Sequence, residues 1–111
     1  IIPRRGEGSL VARVRAHLLS QQPDWPGLVP CAAALNMAAS TLQRRLAQET
    51  SSFRAVKDSL RRDMAIARLN SSDVPLAILA ADLGFSDSAT FQRAFKGWTG
   101  VSPGNYRRHT R

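Results

Sequence analysis

Apolar residues recur at helical spacing along nearly the whole chain. Leu10, Val14 and Leu18 step by four behind Ser9, a good N-cap, and predict a helix over 10–20. The stretch 21–27 holds Pro23, Pro26 and Gly27 and predicts a loop. A short helix is predicted over 30–35, with Pro30 in its first turn and Asn36 suited to the left-handed position that ends it. A second helix follows over 39–48, with Leu42 and Leu46 on one face. Ser51 and Ser52 offer a cap to a long helix over 53–70. One of its stripes is Phe53, Val56, Leu60, Met64 and Ala67, and a second holds Ile66 and Leu69, as expected of a helix sandwiched between two partners. Ser71-Ser72-Asp73 predicts a turn, and Pro75 opens a short helix over 76–83 that Gly84 stops. Asp87 or Ser88 begins a helix that reaches Trp98, with Phe91 and Phe95 inward and Gly100 at its end. Ser102-Pro103 caps a last short helix carrying Tyr106. No segment keeps the alternation of a strand, so the expected class is all-α with about seven helices.

Two stretches of this pattern echo each other. Ala32-Ala33-Ala34-Leu35-Asn36-Met37 is followed, after a short gap, by Leu42-Gln43-Arg44-Arg45-Leu46. Ala80-Ala81-Asp82-Leu83-Gly84-Phe85 is followed, after a gap one residue longer, by Phe91-Gln92-Arg93-Ala94-Phe95. Each half predicts a short helix, a sharp turn at Asn or Gly, and a second helix, which is the helix-turn-helix pattern. Small residues at Ala32 or Ala33, and at Ala80 or Ala81, suit the close crossing of the two helices. Gly84 allows a backbone conformation that a β-carbon penalises, and Asn36 is the next best choice for it. Leu35, Met37, Leu42 and Leu46 are the expected core of one unit. Leu83, Phe85, Phe91 and Phe95 are that of the other. The chain therefore divides into a linker end over 1–8, a first helix-turn-helix subdomain over 9–52, a linker helix over 53–70 and a second subdomain over 71–111.

Composition narrows the function classes. The chain has 111 residues, 43% of them hydrophobic, enough for a packed interior. Lys and Arg number 16 against 8 Asp and Glu, a net charge of +8 that favours polyanionic partners. A solvated basic surface is the plain alternative. No apolar run approaches the ~18 residues of a membrane span, and Ile1-Ile2 leads at once into Pro3-Arg4-Arg5 rather than a secretory signal. The first residue is not Met, so the chain is read as part of a longer protein. The single cysteine, Cys31, forms no internal disulfide, and His17 and His109 lack partners at ligand spacing, so neither a metal nor a cofactor is expected. A reducing cytoplasm fits.

In a helix-turn-helix unit the second helix enters the major groove with its N-terminal half against base edges. The candidate DNA-binding residues are then Ser40, Thr41, Gln43, Arg44 and Arg45 in the first copy. In the second they are Ser88, Ala89, Thr90, Gln92 and Arg93, with Lys96 further along. Gln suits bidentate bonding to adenine, Arg suits guanine O6 and N7, and Ala89 can offer a methyl contact. Leu42 and Leu46, like Phe91 and Phe95, already fill the inward faces, so packing does not account for the Gln-Arg pairs. One Arg of each pair could instead grip phosphate. A linker helix of about 18 residues spans roughly 27 Å, against ~34 Å between successive major-groove faces, so rigidly held units require a bent duplex or one weak contact. Arg54, Lys57, Arg61 and Arg68 along that helix either meet phosphate or form a solvated stripe.

With these residues in hand, the chain resembles the C-terminal domain of the AraC/XylS family of bacterial transcription regulators, over roughly residues 10–108. The most specific stretch is Leu79-Ala80-Ala81-Asp82-Leu83-Gly84-Phe85-Ser86-Asp87, then Phe91-Gln92-Arg93-Ala94-Phe95-Lys96, Trp98-Thr99-Gly100-Val101-Ser102-Pro103 and Tyr106-Arg107. Ser40-Thr41-Leu42-Gln43-Arg44-Arg45-Leu46 is similar to the family's first recognition helix. The resemblance implies seven helices, two recognition helices joined by a linker helix, and an asymmetric promoter site on double-stranded DNA. It points to Ser40, Gln43 and Arg44, then Ser88, Ala89, Thr90, Gln92 and Arg93, as base or phosphate contacts. It also implies RNA polymerase as a partner, no membrane, a cytoplasmic, nucleoid-associated location, and an N-terminal sensing or dimerisation domain that this chain lacks. Three features depart from or bear on the pattern. Ala38 stands where a capping Ser is common, as Ser86 is in the second half. Thr50 stands where a helix-ending Gly is common, so the exit into the linker helix is expected to be strained or differently wound. The second unit keeps the fuller pattern.

Two other classes stand against this reading. An enzyme would need a carboxylate pair, a Cys/His pair, a phosphate-binding Gly loop or a metal cluster, and the sequence offers none, so no catalytic residue is assigned. A helical protein-interaction module would not need basic recognition helices.

Overall fold

The computed structural model describes residues 9–110, so the expected lead-in over 1–8 lies outside it. Among the described residues every regular element is helical. They are α1 (Leu10–Ser20), α2 (Leu28–Ala34), α3 (Ala39–Gln48), α4 (Phe53–Ser71), α5 (Leu76–Asp82), α6 (Ser88–Thr99) and α7 (Pro103–Thr110). The chain forms two compact units, Ile1–Leu60 and Arg61–Arg111, and the division falls inside α4.

In the first unit α1, α2 and α3 pack on one another around Leu10, Val14, Leu18, Cys31, Leu42 and Leu46, all buried. Helix α1 starts where its first four N–H groups find acceptors. Leu10 N–H and Val11 N–H donate to the two Glu49 carboxylate oxygens at 2.8 and 3.1 Å. Ala12 N–H donates to Ser9 Oγ at 3.0 Å, and Arg13 N–H to Ser9 O at 3.2 Å. Ser9 is thus the expected cap, while Glu49 reaches across from the C-terminal end of α3. A carboxylate at a helix N-terminus also meets the positive end of the helix dipole. Helix α2 begins at Leu28, two residues before the expected start, with Pro30 still inside its first turn.

In the second unit α5 packs on α6, and α6 on α7, around Leu79, Leu83, Phe91, Phe95 and Pro103. Phe95 meets the Tyr106 ring edge-on at 5.7 Å between centroids, and Phe85 meets Phe91 at 5.6 Å. Arg107 Nη1 donates to Val74 O at 2.8 Å and ties α7 to the segment ahead of α5. Asp87 caps α6, Ser102 Oγ accepts from Asn105 N–H to start α7, and Gly100 ends α6 at φ 85°.

Both helix-turn-helix turns are built alike. In the first, Met37 N–H donates to Ala32 O and Asn36 N–H to Ala33 O, with Asn36 at φ 62°. In the second, Phe85 N–H donates to Ala80 O and Gly84 N–H to Ala81 O, with Gly84 at φ 81°. This is the Schellman arrangement, in which a left-handed residue lets the chain turn back and satisfy two helix-end carbonyls. Ala32 and Ala80 are the buried members of each small pair, while Ala33 and Ala81 are exposed.

The third turn has the same bonds on a less suitable residue. Ser51 N–H donates to Leu46 O and Thr50 N–H to Ala47 O, and Thr50 sits at φ 56°. A β-branched residue in this region pays about 1–2 kcal/mol. The expected strain between α3 and α4 is present. In α4 the buried residues are Val56 and Leu60 in the first unit and Ala65 and Leu69 in the second. Phe53, Met64 and Ile66 are only half-buried, and Ala67, expected in the apolar stripe, is exposed. Its methyl offered no test of the stripe, because alanine suits a helix on any face.

Two substitutions test these ends. Thr50→Gly should raise the unfolding free energy by about 0.5–1 kcal/mol, since relief of left-handed strain outweighs the added backbone entropy. An unchanged or lower melting temperature contradicts this. Glu49→Ala should lower stability by about 1 kcal/mol through loss of the α1 cap, read in urea melts as a lower midpoint at constant slope.

Candidate nucleic-acid interface

Buried Leu42 and Leu46 point α3 into the first unit, and buried Phe91 and Phe95 do the same for α6 in the second. At 100° per residue Ser40 and Arg44 lie opposite Leu42 and Leu46, and Gln43 and Arg45 flank Arg44 on either side. On α6 Ala89, Arg93 and Lys96 lie opposite Phe91 and Phe95 in the same way, with Gln92 on the flank. The two outward stripes are therefore the same construction in each unit.

Exposure divides the candidate residues. Ser40, Gln43, Arg44 and Arg45 are exposed on α3, and Thr41 is half-buried. Ala89, Arg93 and Lys96 are exposed on α6, while Ser88, Thr90 and Gln92 are half-buried. Arg45 lies about 100° around the helix from Arg44 on the flank nearer Leu42, and Gln43 lies as far round on the flank nearer Leu46. The counterpart of Arg45 in the second unit is Ala94, so this part of the pattern is not repeated. Lys96 falls in the last turn of α6, away from the N-terminal half of that helix.

The α6 side chains are held by their own helix. Asp87 Oδ1 accepts from Thr90 N–H at 2.7 Å, Gln92 Nε2 donates to Ser88 Oγ at 2.9 Å, and Arg93 Nη2 lies 3.4 Å from Thr90 Oγ1. Asp87, not Ser86, occupies the cap position, and Ala38 is its counterpart in the first unit. Ala38 makes no side-chain cap bond, which leaves the start of α3 the weaker of the two. The Thr90 backbone bond, assisted by the Thr90 side chain, holds the Asp87 carboxyl below its ordinary range, with Arg93 adding a smaller pull in the same direction.

Part of the basic charge on α4 is already engaged. Arg54 lies 3.6 Å from Asp58, and Arg68 lies 3.2 Å from Asp82. The Arg61 guanidinium stacks 4.3 Å over the Phe85 ring and Nη2 reaches Gly84 O at 3.4 Å. Arg61 thus braces the turn between α5 and α6, a role that its place in a charged stripe did not reveal. Glu49 was likewise missed, because its partners lie 39 and 38 residues away in sequence.

Cys31 is buried and its thiol is pushed up by desolvation, which disfavours the reactive thiolate. Among the described residues no group of three or more His, Cys, Asp and Glu is placed to hold a metal. No helix among them is long and apolar enough to cross a membrane.

The profile of the family described as a helix-turn-helix domain matches residues 31–109. The ornithine utilization regulator of Pseudomonas aeruginosa is 38% identical over 98 residues, covering 88% of this chain and 29% of that protein. The crystal structure of the transcriptional regulator CdpR, also from Pseudomonas aeruginosa, superposes with a TM-score of 0.87 at 34% identity, covering 91% of this chain and 32% of that one. The DNA-binding domain of AdpA, solved in complex with a target DNA, shares the fold at a TM-score of 0.78 and 24% identity, covering 92% of this chain and 93% of that one. The chain spans about a third of the length of the curated relatives it matches.

The Asp87 carboxyl has a lower pKa folded than unfolded, so its support for α6 is full above the unfolded value and fades as pH falls through the depressed one. Asp87→Ala should therefore melt below the wild type at neutral pH, and the difference should close once the pH is acid enough to protonate the carboxyl. A difference that stays constant into acid contradicts the assignment.

Proposed function

As a member of the AraC/XylS family of helix-turn-helix transcription regulators, this chain is the DNA-binding part of such a regulator, and we propose that it reads double-stranded promoter DNA with α3 and α6. The observation that carries this is the duplicated pattern, with Arg44 and Arg93 opposite two buried apolar pairs and Gln43 and Gln92 at matching places on the flank beside them. Arg is suited to guanine O6 and N7 and Gln to adenine N6 and N7, and both present those groups in the plane of a base edge. Ser40, Ala89 and Thr90 flank these readers. Thr41, Arg45 and Lys96 stand further off and are assigned to phosphate, which fixes register without reading sequence. The charge of +8 supports encounter with the duplex.

The rest of the regulator is assigned by the same reading. A domain for ligand sensing or dimerisation accompanies this one in the full-length protein, RNA polymerase is the partner at the promoter, and the site of action is the nucleoid. The curated relatives, about three times as long as this chain, support a further domain. The chain acts by binding and has no catalytic role.

A gel-shift titration of the purified chain against duplex DNA at several salt concentrations tests the reading. Affinity should fall linearly on a log-log plot against salt, with a slope of about −0.9 for each phosphate neutralised. Arg44→Ala and Arg93→Ala should each cost ~1–3 kcal/mol on a preferred duplex and much less on random DNA. Equal losses on both duplexes would reassign these arginines to phosphate. Absence of salt-sensitive binding would remove the DNA reading altogether.

A further inference from the structure

The two outward stripes differ in how their glutamines are held. In α6 the Gln92 amide donates from Nε2 to Ser88 Oγ at 2.9 Å, one turn back, and both residues are half-buried. In α3 the matching glutamine is Gln43, which is exposed. Four residues before it stands Ala39, whose methyl can hold nothing. Among the described residues Gln92 is restrained on its own helix and Gln43 is not.

That restraint leaves the reading groups available. The Gln92 Nε2 carries two hydrogens, and one of them is used on Ser88. The second hydrogen and Oε1 remain, which is the donor and acceptor pair that the adenine N7 and N6 edge requires. Ser88 lies about 40° around the helix from Gln92, further toward the side of buried Phe95. Its hydroxyl is placed to hold a reader rather than to be one.

We propose that Ser88 is a positioning residue for Gln92. By fixing the amide before DNA arrives, it makes the second recognition helix discriminate the base pair under Gln92 more sharply than the first discriminates the one under Gln43. This rests on α6 being a DNA-reading helix. Side-chain ordering on binding has a cost that a pre-held Gln92 has already met, and a free glutamine also adapts to the wrong base. The expected effect of the Ser88 hydroxyl is a roughly 2- to 10-fold gain in preference for the correct base pair.

The test uses the 111-residue chain and duplexes that the wild type selects from a randomised pool. Fluorescence anisotropy with single base-pair substitutions across the selected duplex gives a preference at each position. Gln92→Ala locates the base pair that Gln92 reads. Ser88→Ala should lower preference at that same base pair by roughly 2- to 10-fold and leave the other positions alone. Ser88→Thr, which keeps the hydroxyl, should restore it. Adding Ser88→Ala to Gln92→Ala should change nothing more. In the other helix, Ala39→Ser should sharpen preference under Gln43. An effect of Ser88→Ala at a different base pair, or one that persists in the Gln92→Ala background, overturns the proposal and makes Ser88 a contact in its own right. An equal loss on every duplex with a lower melting temperature also overturns it, as a purely structural role. A wild type that selects no sequence from the pool sinks the DNA reading itself, a result distinct from all of these.

Discussion

Two residues in the left-handed region, Asn36 at φ 62° and Gly84 at φ 81°, decide how the rest of each unit is arranged. At each, the chain reverses tightly enough for two N–H groups to satisfy the last carbonyls of the preceding helix. The direction of the following helix is then set within a few residues. Buried Ala32 and Ala80 permit the close approach that this reversal demands. Leu42 and Leu46, or Phe91 and Phe95, then lock the second helix by its inner side, and the outward Arg with its flanking Gln follows from the helical period alone. In the second unit Arg61 adds a brace, stacked on Phe85 and bonded to the Gly84 carbonyl, so the turn is held from outside as well as by its own bonds.

The two units are unequal in how firmly their recognition helices begin and end. Helix α6 starts on the Asp87 carboxylate and finishes at Gly100, a residue suited to its left-handed position. Helix α3 starts on Ala38, which offers no cap, and finishes at Thr50, which is strained there. What compensates in the first unit lies at the same end of α3. Glu49, next to Thr50, bonds the first two N–H groups of α1 and so fixes the segment that must adopt the strained turn. The strain is held in place by a contact formed across the unit rather than by local preference.

The local rules of helix formation made most of this legible from the sequence. Periodic leucines, Ser9, Asn36, Gly84, Gly100 and Pro103 each act within a turn of their own position, and they placed the helices to within one or two residues. Thr50 stood out because a residue type was wrong for its place. Other features depend on partners distant in sequence or on packing. Nothing in the sequence around Glu49 marks its role, Arg61 reads as one more charge on a basic stripe, and Ala67 reads as part of an apolar stripe. In the candidate interface, spacing alone found the outward stripes. Gln43 and Arg45 lie equally far round from Arg44, and they differ in that the second unit repeats the glutamine and has Ala94 in place of the arginine. The family pattern puts the capping Ser at Ser86, and the backbone gives the cap position to Asp87 instead.

The central claim is that two equivalent outward stripes, one on each recognition helix, meet the duplex. Backbone amide chemical shifts of the labelled chain, followed by NMR as a selected duplex is added, test it most directly. The account predicts that the largest changes fall in the N-terminal halves of Ala39–Gln48 and Ser88–Thr99, around Gln43-Arg44 and Gln92-Arg93. Changes centred on Leu10–Ser20 or Pro103–Thr110, with those two stretches unmoved, would contradict it.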